Sequence, residues 1–287
     1  MIGSDADPMM DILAANREEK LLLAHVEDLW ARAESGVLSH TAYLSPGEQM
    51  ICRSFLQSRG GNENDSFLFY GGFAYAERRL LFCLPDYLSP CFNGQESDTK
   101  MSDWLLSQCE DSSGIAAVLI RGSGFCSLTH RDYLGALLSL GIERDRIGDI
   151  CCQNESSAVI FTLASIASFL SVSLERVGAD KVSVSVPERE QWRAMPDQHR
   201  YQEIVGSVAS DRLDCLVGEF AALSREKAKQ AIAGGLVNVN YRPETRPDVS
   251  IQAGSVISIR GVGRFRFEGI TGVSRRGKQQ IRATKWI

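Results

Sequence analysis

The chain has 287 residues, enough to bury cores without disulfide or metal staples, and is sized for one large domain or two to three small ones. Its 44% apolar and 23% charged residues are ordinary for a folded protein and exclude wholesale disorder, collagen and coiled-coil classes. The formal charge of −5 speaks against a nucleic-acid binder, but the charge is unevenly spread along the chain.

In chain order, Asp7-Pro8 reads as the N-cap and first residue of a helix. That helix runs to about Ala33, with Ile12, Leu13, Leu22, Leu23, Val26, Leu29 and Trp30 on one broad face. A second helix is predicted from Pro46 to Ser58, before Gly60-Gly61-Asn62 breaks the pattern. Residues 67–70 and 79–84 read as strands around Gly71-Gly72, and residues 91–99 as a polar loop. The longest mostly apolar stretch, residues 158–170, is shorter than the roughly 20 residues a membrane span needs. No positively charged start precedes an apolar run at Met1, so no signal peptide is expected.

The middle is more regular. A strand over 115–121 precedes a helix over 133–140 that closes at Gly141. Short strands over 147–152 and 158–161 flank the turn-like residues 153–156. A helix over 162–177 closes at Gly178, and residues 181–186 alternate as a half-buried strand. Strand, helix, strand, strand, helix, strand is the order of a ferredoxin-like βαββαβ domain, the class that includes RNA-recognition modules. The aromatic RNA-binding signature of such modules is absent from these strands. Residues 187–201 read as a polar connection.

Residues 201–287 hold 14 Lys+Arg against 8 Asp+Glu, and the first 200 residues 17 against 28. An acidic body with a basic C-terminal third suggests an anionic partner for that third. Leu213, Leu216, Val217 and Phe220 fall on one helical face. Ser224 caps a second helix over 225–233, whose Ala228, Ala231 and Ile232 would pack on the first before Gly234-Gly235 ends it. Residues 236–240, 255–260 and 264–270 alternate as strands.

The pattern RLDxxLxxxxxxSRxxAxxxIxxGxVxVN, with a one-residue shift allowed at the glycines, spans Arg212 to Asn240 and resembles the S4 RNA-binding domain. Its cations are Arg212, Arg225, Lys227 and Lys229; helix N-termini at Ser210 and Ser224 would offer N–H donors to phosphate. Asn238 and Asn240 would offer amide donors beside that face, and Asp214 would hold Arg212 or Arg225 in place. Arg264, Arg266, Arg275, Arg276, Lys278, Arg282 and Lys285 extend the basic character into a C-terminal tail, where Trp286 would stack or pack. Arg121, His130 and Arg131 are candidates for a secondary contact.

A wider resemblance runs from about residue 66 to the C-terminus. Phe69-Tyr70-Gly71-Gly72-Phe73, Ala76-Glu77-Arg78-Arg79, the run from His130 to Leu138, and Ile147-Gly148-Asp149-Ile150 resemble the YlmH-like S4-domain proteins of bacteria. The resemblance implies an α+β protein: an N-terminal helical region (1–65), an RRM/ferredoxin-like middle domain (66–186), a connection (187–209) and an S4 domain with a basic tail (210–287). It implies non-catalytic binding of ribosomal RNA and tRNA on the large ribosomal subunit, in ribosome-associated quality control of stalled nascent chains. It also implies a link to the division machinery; a cytoplasmic location is expected from the cysteines, which fit reduced thiols.

Two rival classes stay open: an RNA-modifying enzyme carrying an S4 domain, and a division-associated interaction protein. A pseudouridine synthase needs a catalytic Asp in its own Arg-Leu-Asp segment, whereas Arg212 to Asp214 lies inside the S4 pattern. Arg121-Gly122-Ser123-Gly124 follows a strand but lacks the third glycine and acidic partner of a cofactor turn. His130-Arg131-Asp132 mimics a kinase catalytic loop, yet position 137 is Leu where Asn must bind metal. No catalytic residue, cofactor or metal is therefore expected. The four His are scattered, and the eight Cys form no C-x-x-C pair, which fits reduced thiols.

Overall fold

The computed structural model describes residues 10, 13–88, 114–188, 200–274 and 277–287. The chain forms two compact units, Met1–Asp197 and Gln198–Ile287. Six α-helices and three antiparallel sheets are present among the described residues, a mixed α+β architecture. None of these helices is long and apolar enough to cross a membrane.

The first unit begins with α1 (Arg17–Glu34), whose N-cap Asn16 accepts from the Glu19 N–H at 2.9 Å. The helix expected from residue 8 is thus interrupted at 14–16, because the Asn side chain terminates the backbone pattern in favour of a cap. Asp7 and Pro8 lie outside the described residues. α2 (Pro46–Ser58) starts in a capping box between Ser45 and Glu48. Strands β1 (Ser39–His40), β2 (Phe67–Tyr70) and β3 (Leu80–Cys83) pair in the order β1-β3-β2. This sheet joins residues on both sides of the boundary expected at 65.

The middle sheet contains β4 (Ile115–Gly122), β5 (Ile147–Asn154), β6 (Ser157–Leu163), β7 (Arg176–Val177) and β8 (Asp180–Ser185), ordered β5-β6-β4-β8-β7. Helix α3 (His130–Ser139) connects β4 to β5, and α4 (Ala164–Ser173) connects β6 to β7. The helix expected over 162–177 is shorter at both ends. Thr162 and Leu163 complete β6 opposite β4, and Arg176–Val177 turn back through Gly178 (φ +58°) to pair with β8. Cross-strand pairing overrides local helical pattern at both boundaries.

The first unit is layered. Phe67, Phe69, Leu81 and Cys83 face helices α1 and α2, while Leu68, Leu80, Phe82 and Leu84 join Ala117, Val159 and Phe161 of the middle sheet in a second core. Val118, Ile120, Ala158 and Ile160, on the other face of the middle sheet, pack under α3 and α4. Phe73 stacks on Phe161 at 4.7 Å and 21°. A Cβ on Gly72 (φ +109°) would lie 2.5 Å from the Phe161 ring, so both backbone conformation and space require glycine there.

The second unit packs α5 (Leu213–Phe220) and α6 (Arg225–Ala233) on a six-stranded sheet. Its strands are β9 (Tyr201–Val208), β10 (Val237–Val239), β11 (Arg242–Pro243), β12 (Val256–Ile259), β13 (Gly263–Val273) and β14 (Gln279–Trp286), ordered β11-β10-β12-β13-β14-β9. Strands β9 and β14 correct the sequence expectation of a connection before residue 210 and a basic tail at the end. The two segments pair in register from Tyr201↔Trp286 to Val208↔Gln279, so the first and last strands of the unit close its edge together. Fully buried Leu213, Leu216, Val217 and Ile232 meet Phe265, Phe267 and Ile281 in its core.

Candidate nucleic-acid interface

The helix pair of the second unit is organised by a buried carboxylate. Asp214 has no exposed side-chain surface, yet it holds two guanidiniums. Arg212 donates from Nε at 3.1 Å and from Nη2 at 3.3 Å, and Arg225 donates from Nε at 3.1 Å. Burial pushes the Asp214 pKa up, but the hydrogen bonds and charges of Arg212 and Arg225 outweigh it and hold the carboxyl below its ordinary value. Arg225 remains 61% exposed and Arg212 37% exposed, so the clamp fixes two cations without hiding them. Lys227 is exposed and Lys229 half-buried on the same helix as Arg225, with no acidic partner for either among the described residues.

The helix N-termini differ. Ser224 caps α6 by accepting from the Lys227 N–H at 3.4 Å. Helix α5 is capped by Arg212, not Ser210, whose Oγ lies 3.6 Å from Cys215 Sγ. The N–H groups of Leu213 and Asp214 donate to the carbonyls of Val249 and Pro247 at 2.8 and 2.9 Å. The phosphate-binding N-terminus expected near Ser210 is therefore already occupied by the protein's own backbone.

The two asparagines also separate from the helices. Asn238 alternates with core residues Val237 and Val239, which turns it to the sheet face opposite the helix pair. Asn240 and Tyr241 form the two-residue turn between β10 and β11, both left-handed at φ +49° and +66°. The Asn240 side-chain oxygen accepts from the Val256 N–H at 2.9 Å, a structural bond.

The remaining cations are dispersed. Arg264 lies over the Trp286 ring at 5.3 Å, and Arg266 approaches Glu268 at 3.8 Å. Lys285 sits over the Phe265 ring at 5.5 Å, and Arg282 pairs with Glu203 at 3.1 Å. Lys278 is exposed in the β13–β14 connection; Arg275 and Arg276 lie outside the described residues. The cations expected on the helix pair and in a basic tail thus lie on separate parts of the unit, with Arg264, Arg266 and Arg282 on the sheet face opposite the helices. Sequence reasoning missed Tyr201 and Ser258, which share that second face; Tyr201 carried no local signal, because β9 is set by its pairing with β14.

In the first unit, Arg121 is exposed at the end of β4 and Arg131 in the first turn of α3. Thr129 and Asp132 close a capping box at that helix, leaving Asp132 a structural role. Partial burial and the neighbouring Arg144 lower the His130 pKa against the pull of Asp149, which disfavours its charged form. Arg78 donates to the carbonyls of Ile147 and Tyr43, both at 2.9 Å. Asp149 accepts from the Glu77 and Arg78 N–H groups at 2.6 and 3.1 Å. The segments around Arg78 and Asp149 therefore tie the three-stranded sheet to the middle sheet. No group of His, Cys, Asp and Glu suited to a metal occurs among the described residues.

The second unit presents clamped, exposed cations on a helix pair, as a binding module for an anionic polymer would. Residues 114–191 match the family described as "Putative RNA-binding domain in YlmH". Among curated proteins, the chain is 27% identical over 241 residues to the ribosome-associated protein quality control protein P2 of Bacillus subtilis, covering 84% of each. Among solved structures, it resembles the cell division protein ylmH of Streptococcus pneumoniae at 17% identity and a TM-score of 0.46, over 63% of this chain and 97% of that one. The chain is thus similar to YlmH-like RNA-binding proteins, with residues 114–191 carrying the match to their RNA-binding domain.

Proposed function

We propose that this protein binds structured ribosomal or transfer RNA at the large ribosomal subunit, during quality control of stalled nascent chains, and does so without catalysis in the cytoplasm. The second unit is read as an S4 domain, with Arg212, Arg225, Lys227 and Lys229 as its RNA contacts. The observation that carries this reading is the Asp214 clamp. A structured RNA is recognised by shape and backbone, which rewards cations held at fixed positions. The strand order β5-β6-β4-β8 supports the ferredoxin-like reading of the middle domain. Its helix-free face is largely covered by the three-stranded sheet, so this domain would contact RNA through edge residues such as Arg121 and Arg131 rather than by base stacking. The Bacillus relative's name supports the ribosomal setting.

Sedimentation of ribosomes from lysate across a salt series, with crosslinking to map contacted RNA, tests the reading. The protein is expected to pellet with large subunits at low salt, leave at high salt, and crosslink at defined RNA sites. Failure to pellet at low salt, or methyl transfer to RNA by the purified protein, overturns it.

A further inference from the structure

Helices α5 and α6 cover one face of the six-stranded sheet; the other carries a continuous transverse row. Asn238 is registered against Ser258, and Ser258 against Arg264. The Arg264 guanidinium lies over the Trp286 indole at 5.3 Å, and Trp286 is registered against Tyr201 on the edge strand. The Tyr201 and Trp286 rings are 6.0 Å apart and tilted by 66°. The row crosses five strands, about 19 Å at the usual strand spacing of ~4.8 Å. At its polar end, Asn238, Ser258, Arg260 and Arg264 border an open groove of about 640 Å³. At its aromatic end, Tyr201 is 49% exposed.

We propose that this row is a second RNA site, one that takes a short segment of unpaired nucleotides. This rests on the RNA-binding reading above and adds a substrate class to it. Every base has a flat π-face, so exposed aromatic rings and guanidinium planes accept unpaired bases with little sequence preference. Here Tyr201 supplies one plane and the Arg264–Trp286 stack another. Because the rings are tilted, each takes its own base. Asn238 and Ser258 offer donors and acceptors to a base edge or a ribose hydroxyl. Arg260 stands at the groove for phosphate. Arg260 and Arg264 both border the groove and give this end of the row a basic lining. The helix pair, on the opposite face, presents point charges without exposed aromatic planes and suits duplex backbone. The two faces together would grip a junction between paired and unpaired RNA.

The test uses the full-length chain, a labelled single-stranded oligouridylate of about twelve nucleotides, and a labelled RNA hairpin of equal length, with binding followed by fluorescence anisotropy. Tyr201→Ala combined with Arg264→Gln should weaken single-strand binding about five- to a hundredfold and change hairpin binding by less than about twofold. Lys227→Glu with Lys229→Glu should do the reverse. Tyr201→Phe keeps the ring and should retain wild-type affinity, which separates stacking from a fold defect; thermal unfolding of each variant checks the fold. If wild-type protein binds the oligouridylate and the Tyr201/Arg264 variant binds it equally well, the sheet face is not an RNA site. Equal losses for Tyr201→Phe and Tyr201→Ala also overturn stacking. If wild-type protein binds neither probe, the underlying RNA reading fails first.

Discussion

Asp214 on α5 and Arg225 on α6 are joined by a 3.1 Å hydrogen bond from a 61% exposed guanidinium to a fully buried carboxylate. One end of this pair is core and the other is surface. Substitution at Arg225 therefore perturbs the fold as well as any ligand, since charge reversal would set two carboxylates against each other in a buried site.

Asp214→Asn should destabilise the second unit by about 1–3 kcal/mol near neutral pH, because it weakens charge-assisted bonds while both guanidiniums keep solvent contact. The pH dependence follows from the direction of the shift. The folded-state pKa lies below the ordinary 3.8, so this stabilisation is present above that value and is lost as pH falls through the lower folded-state pKa. Urea unfolding from pH 7 down to pH 2 should show wild type losing its advantage over Asp214→Asn at the acid end. A constant difference across the range would separate the stability of the clamp from Asp214 ionisation.

Lys227→Glu with Lys229→Glu is the clean test of the helix face, since neither lysine has an acidic partner among the described residues. Stability should change by less than about 0.5 kcal/mol per site. Affinity for structured RNA should fall more than about tenfold at ~0.1 M salt, and the log–log salt slope should become shallower by about 1 for each phosphate no longer neutralised. Unchanged affinity in the folded variant removes this face from the interface.

Asn240 separates a structural from a recognition role. Asn240→Gly preserves the left-handed turn and loses the bond to the Val256 N–H, a cost of about 0.5–1.5 kcal/mol. Asn240→Ala also meets the left-handed penalty and should be about 1 kcal/mol less stable than the glycine variant. RNA affinity of the folded glycine variant should equal wild type, by anisotropy on the same hairpin; weaker binding there would return Asn240 to the interface.

A fragment of residues 198–287 should fold cooperatively, because it has its own core, and should bind RNA unaided. With four to six phosphates neutralised on loop or single-stranded RNA, the log–log salt slope should be roughly −3 to −4. The acidic remainder should lower non-specific binding in the full chain. Titration of both proteins against ribosomal and random RNA checks this, and failure of the folded fragment to bind either would assign RNA binding to residues 1–197.

Much of the chain is legible in its local patterns. Leu213, Leu216, Val217 and Phe220 announce their helix and are buried with it, because a 3.6-residue period leaves one face to bury. The middle strands and helices appear in the expected order because each alternates or repeats within its own segment. Residues 176–177 and 201–208 were not legible as strands. Each is defined by a partner segment: β7 by its hairpin with β8, and β9 by β14, its pairs running from Val208↔Gln279 to Tyr201↔Trp286. Cross-strand pairing is a non-local property that a window of neighbours does not contain.

The same division holds for the candidate site. Sequence by itself determined which residues carry charge, which helices are amphipathic, and that Asp214 lies close enough in the chain to hold an arginine. Only the tertiary structure decided that Asp214 holds two, that the N–H groups after Ser210 are spent on Pro247 and Val249, and that Asn240 belongs to a turn. It also placed the YlmH-like segments around Gly72, Arg78 and Asp149 between two sheets and put Asn238, Arg264, Trp286 and Tyr201 on one face. Charge and periodicity are properties of single residues and near neighbours, whereas the direction in which a side chain finally points depends on strand register and on which backbone groups arrive beside it.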